Sequence, residues 1–242
     1  MIDHLPVWLD LLFVLTCIAT IAFFHFANGR PWRITGLIIG WSVLHGWLAW
    51  QGFYQVTDGW PPRLLLVLVP NILIVVYALL PRQIDWVSSR RHAIISTYLH
   101  TVRIPVEITL YYLYLHEMVP ELMTFAGRNF DILIGLSAPV VAWLASRRRI
   151  TPPMLLAWNW FGLILVSFIV INGILSAELP FQQFAFDQPN RAVTFFPYIL
   201  LPAMIVPIVI YSHISDIILI RRNMRDEDEV VLDTGLGIGF GT

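Results

Sequence analysis

The stretch that decides the fold class is MLLAWNWFGLILVSFIVINGIL, residues 154–175. It carries no charged side chain, and as a helix rising about 1.5 Å per residue it can cross the roughly 30 Å hydrocarbon core of a bilayer. The whole chain is 57% hydrophobic and only 13% charged, whereas soluble domains carry about 25% charged residues. We therefore predict an integral membrane protein.

Six other apolar stretches have lengths close to the roughly 17 to 25 residues of a membrane-spanning helix. The seven predicted spans are 6–27, 34–53, 64–80, 92–119, 130–145, 154–175 and 195–220. The fold class predicted is all-α, a polytopic seven-transmembrane-helix domain over residues 1–222. Residues 223–242 are acidic and then Gly-rich, without a strand or helix start that would make GLGIGFG a nucleotide loop, so they are predicted to form a flexible cytoplasmic tail.

The arginines predict the orientation of these spans. All 15 basic residues are arginine, and eleven of them fall in the segments after spans one, three, five and seven, whereas Arg63, Arg128 and Arg191 fall on the opposite side. By the positive-inside rule the N-terminus lies outside and the C-terminus in the cytoplasm. The absence of lysine excludes a rhodopsin-like retinal Schiff base, and a single cysteine, Cys17, excludes an intrachain disulfide.

The fourth predicted span carries polar residues spaced three or four apart, which places them on one face of a helix. These residues are Ser96, His100, Arg103, Glu107, Tyr111 and Tyr114. Because a charge facing lipid is costly, this polar stripe is expected to face the protein interior or a wet cavity. Arg103 and Glu107 are four residues apart and are expected to pair with each other. Pro105 is expected to free the carbonyl of Thr101, which produces either a kink or an extra acceptor at this depth.

Other spans place polar residues at similar depths. His213 on span seven is expected to share a layer with His100, and Asp216 is expected to orient the His213 ring from the same helix. His45 and Asn71 lie near the centres of spans two and three, where each one alone is more often a hydrogen bond between helices than a ligand contact. The two histidines and the nearby carboxylates are expected to titrate as one coupled group between about pH 5 and 8.

A Phe-rich loop and a GxxxG motif each allow a structural and a functional interpretation. The Phe-rich segment 177–197 between spans six and seven is too polar to span, and either lies in the membrane interface or covers the outer mouth as a lid. Gly36 and Gly40 form a GxxxG motif, which more often serves packing within a chain than dimerisation and leaves a homo-oligomer open.

Three strings in the second half of the chain carry a resemblance. RIPVE at 103–107, GRNFD at 127–131 and FQQFAFDQPN at 181–190 are similar to those of a family of uncharacterised bacterial seven-span membrane proteins. The resemblance implies a bacterial inner-membrane protein and brings no known activity.

Three function classes remain open. The favoured one is a protein that binds or transports a small polar or anionic, or lipid-like, ligand with proton linkage, Arg103 holding the ligand and Glu107 handling protons with the histidines. The second is a metal- or haem-containing membrane enzyme using His45, His100 and His213, although no metal-ligand spacing and no HExxH, GxSxG or Walker A motif occurs. The third is a structural subunit whose polar residues only hold helices together. The lipid bilayer is the expected partner, nucleic acid is not, and the sequence indicates no particular cofactor.

Overall fold

The regular secondary structure of the described part of the chain is helical. The computed structural model describes residue 2, residues 4–57 and residues 59–233, and within these ranges it contains no β-strand, so the all-α prediction is confirmed. The α-helices are α1 (Val7–Ala27), α2 (Trp32–Trp50), α3 (Leu65–Ala78), α4 (Pro81–Ser88), α5 (Ala93–Leu99), α6 (Arg103–Leu115), α7 (Ile132–Ser146), α8 (Pro152–Leu175) and α9 (Val206–Asp233). Short 3₁₀-helices lie at Phe53–Gln55, His100–Val102, Glu121–Met123 and Ala192–Thr194, and a π-helix at Leu201–Ile205.

Three helical segments of the described chain are long and apolar enough to cross a membrane. They are Val7–Ala27, Pro152–Leu175 and Leu201–Asp226, and α3 joined to α4 would make a fourth although the two meet at 74°. Helix α7 is apolar but shorter. Helical segments do occupy each of the seven apolar stretches, but the seven-span architecture and its orientation stay predictions.

The fourth predicted span, 92–119, is interrupted. Helix α5 gives way to the 3₁₀ turn His100–Val102, and α6 begins at Arg103. The interruption lies beside Thr101, where Pro105 has no N–H for the carbonyl four residues earlier and its ring crowds that carbonyl. The change from α-helix to 3₁₀ turn occurs where the kink was predicted, and it places Arg103 at the first position of a new helix.

The π-helix before α9 has carbonyls that Pro207 leaves without a backbone donor, and a neighbouring helix supplies the hydrogen bonds. Val206 N–H bonds to the carbonyl of Leu201, five residues back, and Pro207 has no N–H to offer the next carbonyls. Asn71 of α3 supplies the missing donors, because its Nδ2 lies 3.0 Å from Pro202 O and 3.1 Å from Ala203 O. The hydrogen bond between helices predicted for Asn71 is therefore confirmed.

The helices pack around the polar stripe and turn apolar faces outward. Helix α8 packs along α9, and α5 lies against both α1 and α7. On the outside, Leu37, Ile72 and Ile164 are 74%, 60% and 60% exposed, which suits lipid better than water. Packing within the chain does not use Gly36 and Gly40, because within the described ranges no heavy atom lies within 4 Å of a Cβ built at either glycine.

The structure adds detail on two segments outside the predicted spans. The helix α9 continues to Asp233, so the first part of the predicted tail is helical, whereas residues 234–242, with the GLGIGFG string, lie outside the described residues. The segment 177–197 is fastened to the helix ends: Gln188 Nε2 donates to the carbonyls of Tyr114 and Val119 at 2.9 and 2.7 Å, and Arg191 N–H donates to Met118 O at 3.0 Å.

Candidate functional site

Arg103 is the centre of a buried charged cluster. Its side chain is 3% exposed and its Nη1 lies 2.6 Å from Oδ1 of Asp131, which is 8% exposed. Its Nη2 lies 2.8 Å from Nε2 of His213. Helix α7 comes close enough for this pairing because a glycine, Gly135, faces the start of α6: a Cβ there would lie 3.1 Å from Arg103 Cβ and 3.1 Å from Ile104 N. The predicted pairing of Arg103 with Glu107 is therefore replaced by a pairing with Asp131 from another helix.

The His213 ring is held in one protonation state by its partners. Arginine can only donate, so Nε2 of His213 accepts from Arg103 and carries no proton. The other nitrogen, Nδ1, then donates to Asn159 Oδ1 at 3.0 Å. Gly162 makes room for the ring, since a Cβ on it would lie 2.4 Å from His213 Cε1. The neutral Nδ1–H tautomer follows, and Asn159, not Asp216, orients the ring.

His100 lies directly against His213. The two rings stack with centroids 3.8 Å apart and an interplanar angle of 14°, so the prediction that they share a layer is confirmed. Trp158 of α8 meets the His100 ring edge-on at 5.5 Å. Both ring nitrogens of His100 are buried and have no hydrogen-bond partner within the described part of the chain.

Glu107 follows Arg103 by one helical turn but is bound differently. Its Oε1 accepts from Asn129 Nδ2 at 2.6 Å, and its Oε2 is buried without a partner among the described residues. Asn129 is itself fixed, because its Nδ2 also donates to Met123 O and its Oδ1 accepts from the Asp131 N–H. The GRNFD string thus supplies Asp131 to Arg103 and Asn129 to Glu107, the two charged residues of RIPVE.

A cavity of about 370 Å³ opens beside this cluster, within the size range of small-molecule sites. The walls come from α3, α6, α8, the π-helix and α9. The polar residues that line it are Asn71, Arg103, Glu107, Asp131 and Asn190. Most of the other lining residues are Leu, Ile and Val. The surface that the cavity presents is almost entirely apolar, and the polar groups lie buried just behind one side of it.

A second buried ion pair lies one to two turns from the histidines. Arg91, whose side chain is 0% exposed, places Nε 2.5 Å from Asp216 Oδ1. Its Nη groups also donate to Asn28 Oδ1, Ser96 Oγ and Ser212 O, and Ser96 Oγ donates to Asp216 Oδ2 at 2.6 Å. Arg91 therefore ties the end of α1 to α5 and α9, and Asp216 belongs to this cluster instead of orienting His213.

The other residues predicted for the site lie in separate contacts. His45 accepts or donates at Nδ1 to the Tyr54 hydroxyl and its ring contacts Trp41; burial raises the pKa of Tyr54 to about 12. Tyr111 is half-buried and stacks on Phe125 at 4.8 Å. His45 is thus not placed with the stacked His100 and His213, and within the described ranges no group of three or more His, Cys, Asp or Glu is arranged to hold a metal ion.

The sequence analysis missed three residues that complete these clusters: Asp131, Asn129 and Arg91. Asn129 and Asp131 were visible as part of the distinctive GRNFD string, but their loop position suggested an outer surface. Arg91 was counted only as a charge that sets orientation. No spacing rule connects any of them to the polar stripe, since Asp131 lies 28 residues from Arg103.

Comparison with known proteins gives a family without an activity. No curated protein and no solved structure matches the chain. Residues 61–221 match a domain of unknown function, DUF8737. The matched range covers about two thirds of the 242 residues. It contains Arg91, the polar stripe, GRNFD, Asn159, His213 and Asp216. The chain therefore belongs to the DUF8737 family.

Proposed function

We propose that this chain is a multi-pass protein of the bacterial inner membrane that binds or transports a small amphiphilic ligand with proton linkage. The polar end of the ligand lies against Arg103, Glu107 and Asp131, and its apolar part occupies the aliphatic side of the cavity. The seven helical stretches cross the membrane with the N-terminus outside, as the arginine distribution indicates.

The observation that carries this proposal is the cavity itself. Its volume is about 370 Å³, and it lies against a buried cluster of two carboxylates and a guanidinium while its other walls are mostly Leu, Ile and Val. Ligand sites are typically apolar clefts with a few convergent polar groups that fix orientation. Ionisable residues buried in a membrane protein mark ligand or ion sites by default.

The competing proposal is a structural subunit in which the same polar residues only hold helices together. The contacts of Arg91 favour this role for the second cluster, since its hydrogen bonds join α5, α9 and the end of α1. The cavity cluster differs, because Glu107 Oε2 is buried with no partner in the described chain and Glu107 lines the cavity. A residue kept only for packing would be expected to satisfy both of its oxygens.

The topology can be tested by cysteine labelling in intact cells. We expect a membrane-impermeant thiol reagent added outside to modify Phe186→Cys, because Phe186 is 69% exposed in the predicted outer loop. The reagent should spare Ser89→Cys, an exposed position on the predicted cytoplasmic side. The native Cys17 is buried, so the wild-type protein measures the background labelling. Labelling of Ser89→Cys with sparing of Phe186→Cys would reverse the proposed orientation.

The cavity can be tested by filling it. We expect the purified protein in maltoside micelles to bind at least one member of a series of radiolabelled ten-carbon amphiphiles, namely decanol, decanoate and decyltrimethylammonium, saturably and at one site. Val170→Trp, which adds bulk at a residue lining the cavity, should weaken that binding at least about tenfold, since the ring and the ligand would share one space. Equilibrium dialysis measures this.

The matched control is Ile164→Trp, on the same helix but 60% exposed on the outer surface, which should bind as the wild type does. Binding that is no greater than in empty micelles for every probe would refute a ligand site, and equal loss in both tryptophan variants would place the binding elsewhere.

A further inference from the structure

Glu107 has no cationic partner among the described residues. The residue is 2% exposed. Within the described chain, no arginine or histidine nitrogen lies within 4 Å of its carboxylate oxygens. Oε1 is held by Asn129. Oε2 has no partner there, and Glu107 lines the cavity.

The neighbouring charges are already matched. Arg103, on the same helix, is paired with Asp131 from the start of α7 at 2.6 Å. His213 from α9 is neutral, because Arg103 donates to its Nε2. His100 is a poor source of positive charge, since an imidazolium there would bury two donors without acceptors. One arginine therefore faces two carboxylates, and an ionised Glu107 would leave one negative charge in excess.

Burial of an unmatched carboxylate is costly, and such a group takes up a proton instead. The proton belongs on Oε2, since Oε1 accepts from Asn129. The resting site is then neutral overall. An anion entering it would leave a net negative charge, whereas a cation can enter without a net change if the Glu107 proton leaves.

We infer that the cavity takes an amphiphilic cation, such as an alkylammonium, in exchange for the proton of Glu107. The O–H bond of the neutral acid breaks, the electron pair stays on Oε2, the proton goes to water, and the cation forms an ion pair with the carboxylate without any new covalent bond. The charge in the cavity is the same before and after. This inference rests on the proposed function and gives the chemical class of its ligand.

Two other groups at the cavity bear on the choice of head group. Asn190 lines the cavity and its Oδ1 is a second buried oxygen without a partner in the described chain, which suits a positively charged head. Arg103 Nε is an unpartnered donor, which would suit a hydroxyl or carboxylate head. The three head groups of the ten-carbon series therefore distinguish the cases.

The experiment is proton release on binding, measured with a pH indicator in weakly buffered maltoside micelles. Decyltrimethylammonium has no acidic proton, so every proton released comes from the protein. We expect one proton per bound cation, and affinity for the cation that rises about tenfold per pH unit while Glu107 is protonated, by the linkage of proton release to binding. Glu107→Gln should abolish both the release and the pH dependence.

The stability of the variant keeps the test interpretable. If Glu107 is neutral at rest, Gln replaces it with little change, because its Oε1 still accepts from Asn129, so Glu107→Gln should unfold at nearly the wild-type temperature. The control is Glu178→Gln, which removes a carboxylate that is 47% exposed and paired with Arg191. This variant should release one proton per cation, as the wild type does.

Each other outcome overturns the inference in a distinguishable way. Saturable binding of decanol or decanoate without binding of decyltrimethylammonium would reject the cation while leaving the proposed function intact. Binding of the cation without proton release would reject the exchange. Lack of saturable binding by all three probes would reject the proposed function and the inference together.

Discussion

Replacement of Arg103 by Met is expected to destabilise the protein by about 3–5 kcal/mol, because it leaves Asp131 buried without its partner. The loss includes the bond to His213 Nε2, which would be left without its donor. The free energy of unfolding can be measured by titrating SDS into maltoside micelles, with far-ultraviolet circular dichroism reporting helix content.

A second substitution is expected to restore the stability lost in Arg103→Met. Arg103→Met combined with Asp131→Leu removes both charges and is expected to regain most of the lost stability, since an apolar pair can replace a buried ion pair at little cost. The control is Arg191→Met, because the Arg191–Glu178 pair is about half exposed and such pairs contribute about 0–1 kcal/mol. Wild-type stability in Arg103→Met would show that the ion pair does not form.

Replacement of Arg91 by Met is expected to have a comparable effect, about 3–5 kcal/mol, for the same reason. Asp216 would lose its cation while remaining 5% exposed, and the hydrogen bonds to Asn28 and Ser212 that join α1 to α9 would be lost with it. The same SDS titration measures the change.

The adjacent arginine provides the control for this variant. Arg90 is exposed and its guanidinium lies over the Trp86 ring at 4.7 Å, so Arg90→Met should change stability by less than about 1 kcal/mol. Equal effects of the two substitutions would show that the buried contacts of Arg91 do not stabilise the fold.

Periodicity in the sequence predicted a substantial part of the site. Ser96, His100, Arg103 and Glu107 are 0%, 0%, 2% and 2% exposed, as spacings of three and four residues on one helix require. The shared layer of His100 and His213 followed from counting helical rise along two helices. Both predictions needed only the geometry of single helices and the cost of charge in lipid.

The partners of these residues could not be predicted in the same way. Glu107 is the carboxylate nearest to Arg103 along the same helix. However, α7 approaches closely at Gly135, and Asp131 at its start forms the ion pair with the guanidinium instead. The assignment of Asp216 to His213 was wrong for a related reason: Arg91 reaches it from before α5. Such choices depend on how helices pack, and a single sequence does not record that packing directly.

An experimental structure of the protein in lipid nanodiscs, prepared with decyltrimethylammonium, measures the central claim most directly. We expect ordered non-protein density in the cavity between α3 and α8, with one end against Glu107 and the rest along Val170 and its aliphatic neighbours. A cavity closed by its own side chains, with Glu107 Oε2 hydrogen-bonded to another protein group, would contradict a ligand site and leave the buried charges with a packing role.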